Sequence, residues 1–307
     1  MKPGDVSDVD CAIAQAAGIV GDWWTLLIVR DIVGGTTRFE ALQRSLGVSR
    51  KVLTERLNRL VDQGVLQRVP YQDRPVRHDY LLTDAGEGLL PVLVALQDWG
   101  TRYVMGDGSL TATSAATSLE ARRVQRLVGS ELPAVRLAGA DGAEADPLDA
   151  DLWTVLYCFP GAYAPATQGY PPRWGEIPGA GGCTLESITY RDRAAEFAHA
   201  GAGVRGVSTQ RPDQLQAFAE HAALTFPLLS DQDSRLSAAL RLPTFRAAGQ
   251  LRLKRLTLVV DPGRRIRAVQ FPIADPAVSV GEALDLVRRH AETTSTTAAE
   301  PSASRRS

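Results

Sequence analysis

Of the three cysteines in this 307-residue chain, Cys183 is the one placed for thiol chemistry. It follows Gly181-Gly182 and precedes Thr184-Leu-Glu-Ser, a run that reads as the first turn of a helix. Free backbone N–H groups and the helix dipole favour a thiolate there, lowering a thiol pKa from about 8.5 toward roughly 3.5 to 7.5. A thiolate is the form that attacks peroxide. Arg255 opens the strand-like run Arg-Leu-Thr-Leu-Val-Val-Asp. From a neighbouring strand its guanidinium would stabilise the anion and polarise the leaving oxygen. Cys183, Arg255 and Thr184 are the expected catalytic group. Cys158, on an apolar strand beside Phe159, fits packing better than chemistry.

A second stretch carries binding chemistry. From Ser49 to Gln63, Val52, Leu53, Leu57, Leu60 and Val61 recur at three- and four-residue spacing, the stripe of an amphipathic helix. Ser49 is placed to cap its start and Gly64 to close its end. The other face carries Arg50, Lys51, Thr54, Asn58 and Arg59, donors of the kind that reach phosphates and base edges in a DNA major groove. Between Arg38 and Arg59 six basic residues (Arg38, Arg44, Arg50, Lys51, Arg56, Arg59) face two acidic ones (Glu40, Glu55), a local net of +4. A solvated helix face is the alternative reading of the same charges.

The flanking elements decide between the two. Val9 to Val33 reads as two helices broken near Gly18 to Gly21, with Trp23, Trp24, Leu27 and Ile28 packing a core. Thr37 to Leu46 is a short helix with Phe39, Leu42 and Leu46 inward, and Gly47-Val48 turns into the basic helix. This is helix-turn-helix spacing. Val65 to Val69 and His78 to Leu82 alternate as strands about the turn Gln72-Asp73-Arg74-Pro75, giving a wing with Arg74 at its tip. Thr83 then caps one long helix bearing Leu89, Leu90, Leu93, Leu96, Trp99 and Tyr103, whose two-sided apolarity suggests a dimer interface. Arg38, Ser49, Arg50, Lys51, Thr54, Asn58, Arg59 and Arg74 are the expected contacts to double-stranded operator DNA.

The chain is too long for one typical core, so two folded domains are expected. Its hydrophobic content is 44% and its net charge −1, which argues against a polyanion-coating protein. Dispersed cysteines form neither a disulfide framework nor a zinc knuckle and fit a reducing cytoplasm. Asp22 interrupts the apolar run Ile19 to Val29, and no stretch reaches the roughly 20 apolar residues that span a bilayer. Gly106 to Thr117 is a linker by composition, and Leu119 to Val128 a bridging helix. The second domain reads as strands at Ala134 to Leu137, Trp153 to Phe159 and Val204 to Ser208, helices at Cys183 to His199 and Asp213 to His221, and a hairpin of Leu256 to Val260 with Ile266 to Phe271. A last helix runs from Ser279 to His290, and the tail after Ala291 is expected to be disordered. The fold class is thus an α+β winged helix-turn-helix followed by an α/β thioredoxin-like domain. The expected bounds are 8–105, a linker at 106–129, 130–290, and a tail at 291–307.

Cys11-Ala-Ile-Ala-Gln, Gly21-Asp-Trp-Trp-Thr-Leu-Leu-Ile, Arg38-Phe-Glu-Ala-Leu, Gly47-Val-Ser-Arg-Lys-Val-Leu-Thr-Glu-Arg-Leu, Tyr80-Leu-Leu-Thr and Trp99-Gly resemble the HxlR-type winged-helix regulators. That resemblance implies a homodimeric bacterial transcription factor whose recognition helices enter successive major grooves about 34 Å apart. It also implies that Cys11, near the N-terminus, stands where some relatives sense oxidants; a small core residue is the plainer reading. Leu156-Tyr-Cys-Phe-Pro160, Gly182-Cys-Thr-Leu-Glu-Ser, Tyr190-Arg-Asp, Gly206-Val-Ser-Thr, Phe226-Pro-Leu-Leu-Ser-Asp231 and the run from Arg255 to Gly263 resemble peroxiredoxins of the bacterioferritin-comigratory branch. This implies that Cys183 is the peroxidatic cysteine, oxidised to a sulfenic acid, with Arg255 activating it.

Three departures from that pattern bear on function. Ala180 stands where the family carries a peroxide-orienting hydroxyl. Gly161 to Gly182 forms a long insertion, a candidate lid lined by Tyr163, Tyr170 and Trp174. Ile188 stands where the close branch often has a resolving cysteine, so Cys183 needs Cys158, Cys11, another subunit or a small thiol reductant. Gly201-Ala-Gly-Val-Arg-Gly206 matches a dinucleotide fingerprint literally but follows a helix and opens a strand, the reverse of the required context. His78, His199, His221 and His290 lack ligand spacing, so neither metal nor cofactor is expected. Three functions stay open: a peroxide-responsive regulator, a thiol peroxidase tethered to DNA, and a regulator whose degenerate second domain binds a small molecule.

Overall fold

The computed structural model describes residues 10–149, 151–165 and 169–298 and divides into two compact units between Leu96 and Gln97. The first contains α1 (Ala12–Val20), α2 (Trp23–Val33), α3 (Phe39–Leu46), α4 (Arg50–Asp62), β1 (Leu66–Asp73), β2 (Val76–Leu82), α5 (Asp84–Glu87) and the start of α6 (Leu90–Trp99). Asp22 ends the α1–α2 break by accepting the Thr25 N–H at 3.1 Å. Ser49 caps α4 by accepting from Val52 N at 3.3 Å, and Gly64, at φ +70°, takes the left-handed conformation that lets the chain turn out of it. Ile28, Val29, Leu42, Leu53, Leu57 and Leu60 are buried together. Each such side chain contributes about 1.5–3 kcal/mol relative to exposure.

Three expectations are corrected in this unit. Trp23 is not a core residue: it is 60% exposed and stacks on Trp24 at 3.9 Å, because the core face of α2 is carried by Ile28, Val29 and Ile32. The wing strands extend past Val69 and begin before His78, with a register shift between Pro70 and Gln72. The helix after Thr83 is broken. Thr83 caps only the single turn α5, and α6 begins after Gly88 and passes into a wider π-type turn at Gly100–Val104.

The second unit contains α7 (Leu119–Gln125), β3 (Leu137–Gly139), β4 (Glu144–Ala145), β5 (Trp153–Cys158), α8 (Cys183–Asp192), α9 (Ala194–His199), β6 (Ala202–Ser208) and α10 (Pro212–His221). It continues with β7 (Leu228–Ser230), α11 (Arg235–Leu240), β8 (Thr244–Ala247), β9 (Gln250–Leu253), β10 (Leu256–Val260), β11 (Ile266–Gln270) and α12 (Pro276–Ala298). One seven-stranded sheet has the order β11-β10-β5-β6-β7-β3-β4, with β5, β6 and β7 parallel and β10 antiparallel to β5. Alternation along β5 sends Trp153, Val155, Tyr157 and Phe159 to the face covered by α8, α10 and α12. Leu156 and Cys158 go to the opposite face, under α7 and α11. Apolar residues on both sides of a parallel strand are what a two-layered cover requires.

Here too the sequence reading needs amendment. The segment expected as a free linker packs: Ala112 is fully buried with Trp174, Ala180 and Phe245, and its N–H donates to Pro178 O at 2.8 Å. The helix expected from Cys183 to His199 breaks at Arg193, and α12 continues through Ala291 to Ala298. The rest of the expected tail, 299–307, lies outside the described residues. Strand β7, helix α11 and the β8–β9 hairpin were not anticipated. Among the described residues no single helix is long and apolar enough to cross a membrane; α1 and α2 together match by length and composition but are bent by 74°.

Candidate thiol site and nucleic-acid face

Gly182 starts α8 at φ +92°, and a Cβ there would meet Pro276 Cγ at 2.7 Å, so glycine is required by both backbone and neighbour. Cys183 is thereby set in the first turn of α8, facing the sheet, and is 1% exposed. Strand parity brings Arg255 to the same face. Thr257, two residues on, pairs with Tyr157 and meets the Tyr190 hydroxyl at 3.5 Å. Arg255 Nη2 donates to Cys183 Sγ at 3.3 Å and to Gly181 O at 2.7 Å, while Nη1 donates to Glu186 Oε2.

Glu186 completes the cluster, a residue that the sequence pattern did not single out. It is fully buried, lies one turn after Cys183 on the same helix face, and its second carboxylate oxygen has no hydrogen-bond partner. The signal was present as the three-residue spacing in Cys183-Thr-Leu-Glu186.

The electrostatics differ from the expected lowered thiol pKa. Burial pushes the Cys183 thiol up and the Glu186 charge adds to this, while Arg255 and the Gly161 N–H pull it back; the balance is raised. Desolvation in this closed site outweighs the helix N-terminus. Burial likewise lifts the Glu186 carboxyl to about 7 against the pull of Arg255. Burial opposes the Arg255 cation, but the facing Cys183 and Glu186 more than restore it.

Thr184 is half-buried and its hydroxyl meets that of Tyr170 at 3.1 Å, so it ties the insertion to α8. The insertion forms an aromatic chain in which Tyr163 meets Tyr170 at 5.1 Å, Tyr170 meets Trp174 at 5.9 Å and Trp174 meets Phe245 at 6.2 Å. Buried Arg252 stacks over Trp174 at 4.9 Å and donates to Tyr163 Oη at 2.9 Å. Ala180 is fully buried against Ala112 and Trp174, so a hydroxyl there would point into packed atoms.

Cys158 does not join this site. It is fully buried on the far face of the sheet, opposite Leu256 in register, and burial pushes its thiol far up. Cys11 precedes α1, half-buried and without a cap bond from its side chain. Among the described residues no His, Cys, Asp or Glu cluster is arranged for a metal; His290 stacks on Trp153 at 6.4 Å. The stretch Gly201 to Gly206 lies largely within β6, not at a helix start.

In the first unit a groove of about 480 Å³ is lined by Arg38, Arg44, Arg50 and Arg77 with Tyr71 and His78. Arg38 lies over the Tyr71 ring at 4.3 Å and pairs with Asp79 at 3.4 Å; Arg50 pairs with Glu40 at 2.8 Å, both exposed. Lys51, Thr54 and Arg74 are exposed, Ser49 is occupied as a cap, and Asn58 accepts from Arg68. Arg59 turns inward: half-buried, it donates to Gly18 O. Arg56 is held by Asp22 at 2.9 Å. Two of the six bases counted in the sequence thus brace the fold, and Arg77 and His78 of the wing, not anticipated, join the groove.

A winged helix-turn-helix unit and a thioredoxin-like unit with a helix-initiating cysteine beside an arginine define a two-domain class that joins a DNA-reading fold to a thiol fold. Residues 19–107 match the HxlR-like helix-turn-helix family and residues 177–269 the AhpC/TSA family. The chain belongs to the HxlR-type family by its first unit, and this is followed by a peroxiredoxin-like domain. An HTH-type transcriptional regulator of Bacillus subtilis, YvaP, is 36% identical over 91 residues, 29% of this chain and 84% of that protein. One of Mycobacterium tuberculosis is 44% identical over 93 residues, 30% of this chain and 59% of that protein; the chain thus spans 59% of the length of such mycobacterial relatives. The crystal structure of the peroxidoxin BcpB from Mycobacterium tuberculosis superposes with a TM-score of 0.44 at 27% identity, covering 53% of this chain and 96% of that one.

Proposed function

We propose that the chain is a cytoplasmic, homodimeric DNA-binding regulator that responds to peroxide or a related oxidant through Cys183. The observation that carries the reading is the buried Cys183–Arg255–Glu186 cluster in a chain that also holds a basic helix-turn-helix groove. The Cys183 thiolate attacks one peroxide oxygen and the O–O bond breaks. Sulfur is oxidised to a sulfenic acid, and the departing hydroxide or alkoxide takes a proton. Glu186, titrating at about 7, is suited to supply it. Because Cys183 is 1% exposed, an added oxygen requires local rearrangement of α8, the bistable step a redox switch needs. Support for the dimer comes from α6, where Val92, Leu96 and Trp99 are each at least half exposed.

Two companion readings remain. Ala180, the absence of a thiol at Ile188 and the far-face Cys158 argue against fast turnover by a tethered peroxidase, which needs a small-thiol reductant. A raised Cys183 thiol favours the reading in which the second domain serves as a ligand-binding module. Operator affinity measured before and after peroxide, with Cys183→Ser as control, separates them. A peroxide-dependent change lost in the variant is expected; equal affinity in all four states removes the sensing claim.

A further inference from the structure

Away from the thiol site, the second unit carries a half-open cavity of about 540 Å³ between the end of α6, the segment 105–120 and the β8–β9 hairpin. Its volume lies in the range of small-molecule sites, and Cys183 does not line it.

The charges in the wall are arranged in two tiers. The inner tier is Asp98, half-buried, with Glu120 and Lys254, 4% and 5% exposed. Lys254 Nζ donates to Glu120 Oε2 at 2.7 Å and to Thr113 O at 3.1 Å. Glu120 Oε2 also accepts from the Ser114 hydroxyl, while Oε1 is buried without a hydrogen-bond partner and forms an ion pair with Arg123 at 3.8 Å. Among the described residues Asp98 accepts no hydrogen bond and forms no ion pair. With Arg123 counted the charges here balance, yet acceptors stay unused: among the described residues the Asp98 carboxylate and Glu120 Oε1 take no hydrogen bond. The outer tier is Arg102, Arg246 and Asp107, net +1. Arg246 and Asp107 are exposed, and Arg102 spends only its Nε, on Gly108 O at 2.7 Å. Met105, Leu110, Leu119 and Phe245 supply apolar wall.

Even a half-buried carboxylate without a donor costs stability, and burial accordingly pushes the Asp98 carboxyl up despite Arg246, Lys254 and Arg102. The complement of those unused acceptors is one ammonium, a group that brings three donors. The complement of the outer tier is one carboxylate, close enough to share a single small molecule.

We propose that this cavity is a binding site for a free α-amino acid with an apolar side chain, its ammonium on Asp98 and Glu120 and its carboxylate on Arg102 and Arg246. A peptide separates its two termini and does not satisfy both tiers at once. The inference stands independently of whether Cys183 senses peroxide.

Calorimetric titration of the full chain with L-leucine and L-phenylalanine, their amides and their N-acetyl derivatives tests it. The amino acids are expected to bind saturably. Amides and N-acetyl derivatives, each lacking one charge, bind at least about tenfold more weakly, the worth of one charge-assisted hydrogen bond. Asp98→Asn removes the preference over the N-acetyl compound, and Arg246→Gln removes the preference over the amide. Both positions are at least partly exposed, and a melting curve matching wild type confirms that each variant is folded. Absence of saturable binding by either amino acid, equal affinity for the truncated analogues, or undiminished binding by Asp98→Asn overturns the proposal.

Discussion

Replacing Arg255 by Met keeps most of the side-chain volume and deletes the charge that faces the sulfur. Arg255 Nη2 lies 3.3 Å from Cys183 Sγ, and the centre of the delocalised guanidinium charge is somewhat farther. For unit charges about 4 Å apart at an effective dielectric near 20, the attraction is about 4 kcal/mol, or roughly three pKa units on the thiol. Part of this is returned by Glu186. That carboxyl, already at about 7 with Arg255 in place, loses its countercharge in the variant and becomes neutral, so it no longer repels the thiolate. A net rise of one to two units is expected, about ten- to hundredfold less thiolate at a given pH. The assay is ultraviolet thiolate absorbance against pH, in a Cys11→Ser background so that the buried Cys158 is the sole other thiol. Coincident titration curves for Arg255→Met and its parent would refute the claim that this arginine sets the thiol's charge.

Glu186 makes stability depend on pH in a direction opposite to most carboxylates. Its folded pKa, about 7, lies above the ordinary 4.5, so the folded state holds a proton that the unfolded chain has released. Its contribution is full below about pH 4.5 and is lost as pH rises through 7, roughly 3 kcal/mol in all. Glu186→Gln should remove that slope from denaturant unfolding measured across this window. Arg77→Ala is expected to weaken binding to any duplex and lower the salt slope by about one. Arg59→Ala, by contrast, should cost thermal stability more than DNA affinity, as electrophoretic shifts and melting curves on one sample will distinguish. Cys158→Ser places a hydroxyl in an apolar layer and should cost about 1–3 kcal/mol, while mass spectrometry finds Cys183 oxidised by peroxide as in wild type.

The helix-turn-helix was legible because its information is local. Ser49, Gly64 and the three- and four-residue spacing of Leu53, Leu57 and Leu60 state a cap, a stop and a buried face without reference to distant residues. The same holds for β5 and β10, whose apolar runs bounded by turns can be little else than buried strands. Misreadings fell where local signals were balanced. Gly88 and Arg193 broke helices whose periodicity continued past them, and β7, three residues long, left too short a pattern to register. The segment 106–117 has a linker's composition, yet Ala112 is small enough to fit beneath Trp174, and a small side chain gives no warning that it will be buried.

By itself the sequence determined that a cysteine would begin a helix and that a basic helix would follow a tight turn, because capping, turns and amphipathic spacing act over a few residues. The tertiary structure alone decided what those groups became. Packing across the sheet put Arg255 and Glu186 on the sulfur's side and Cys158 on the other, turned Arg59 inward, and closed Cys183 from water so that desolvation prevailed over the helix end. Burial and long-range parity depend on which residues the whole fold brings together, and no window of neighbours along the chain contains them.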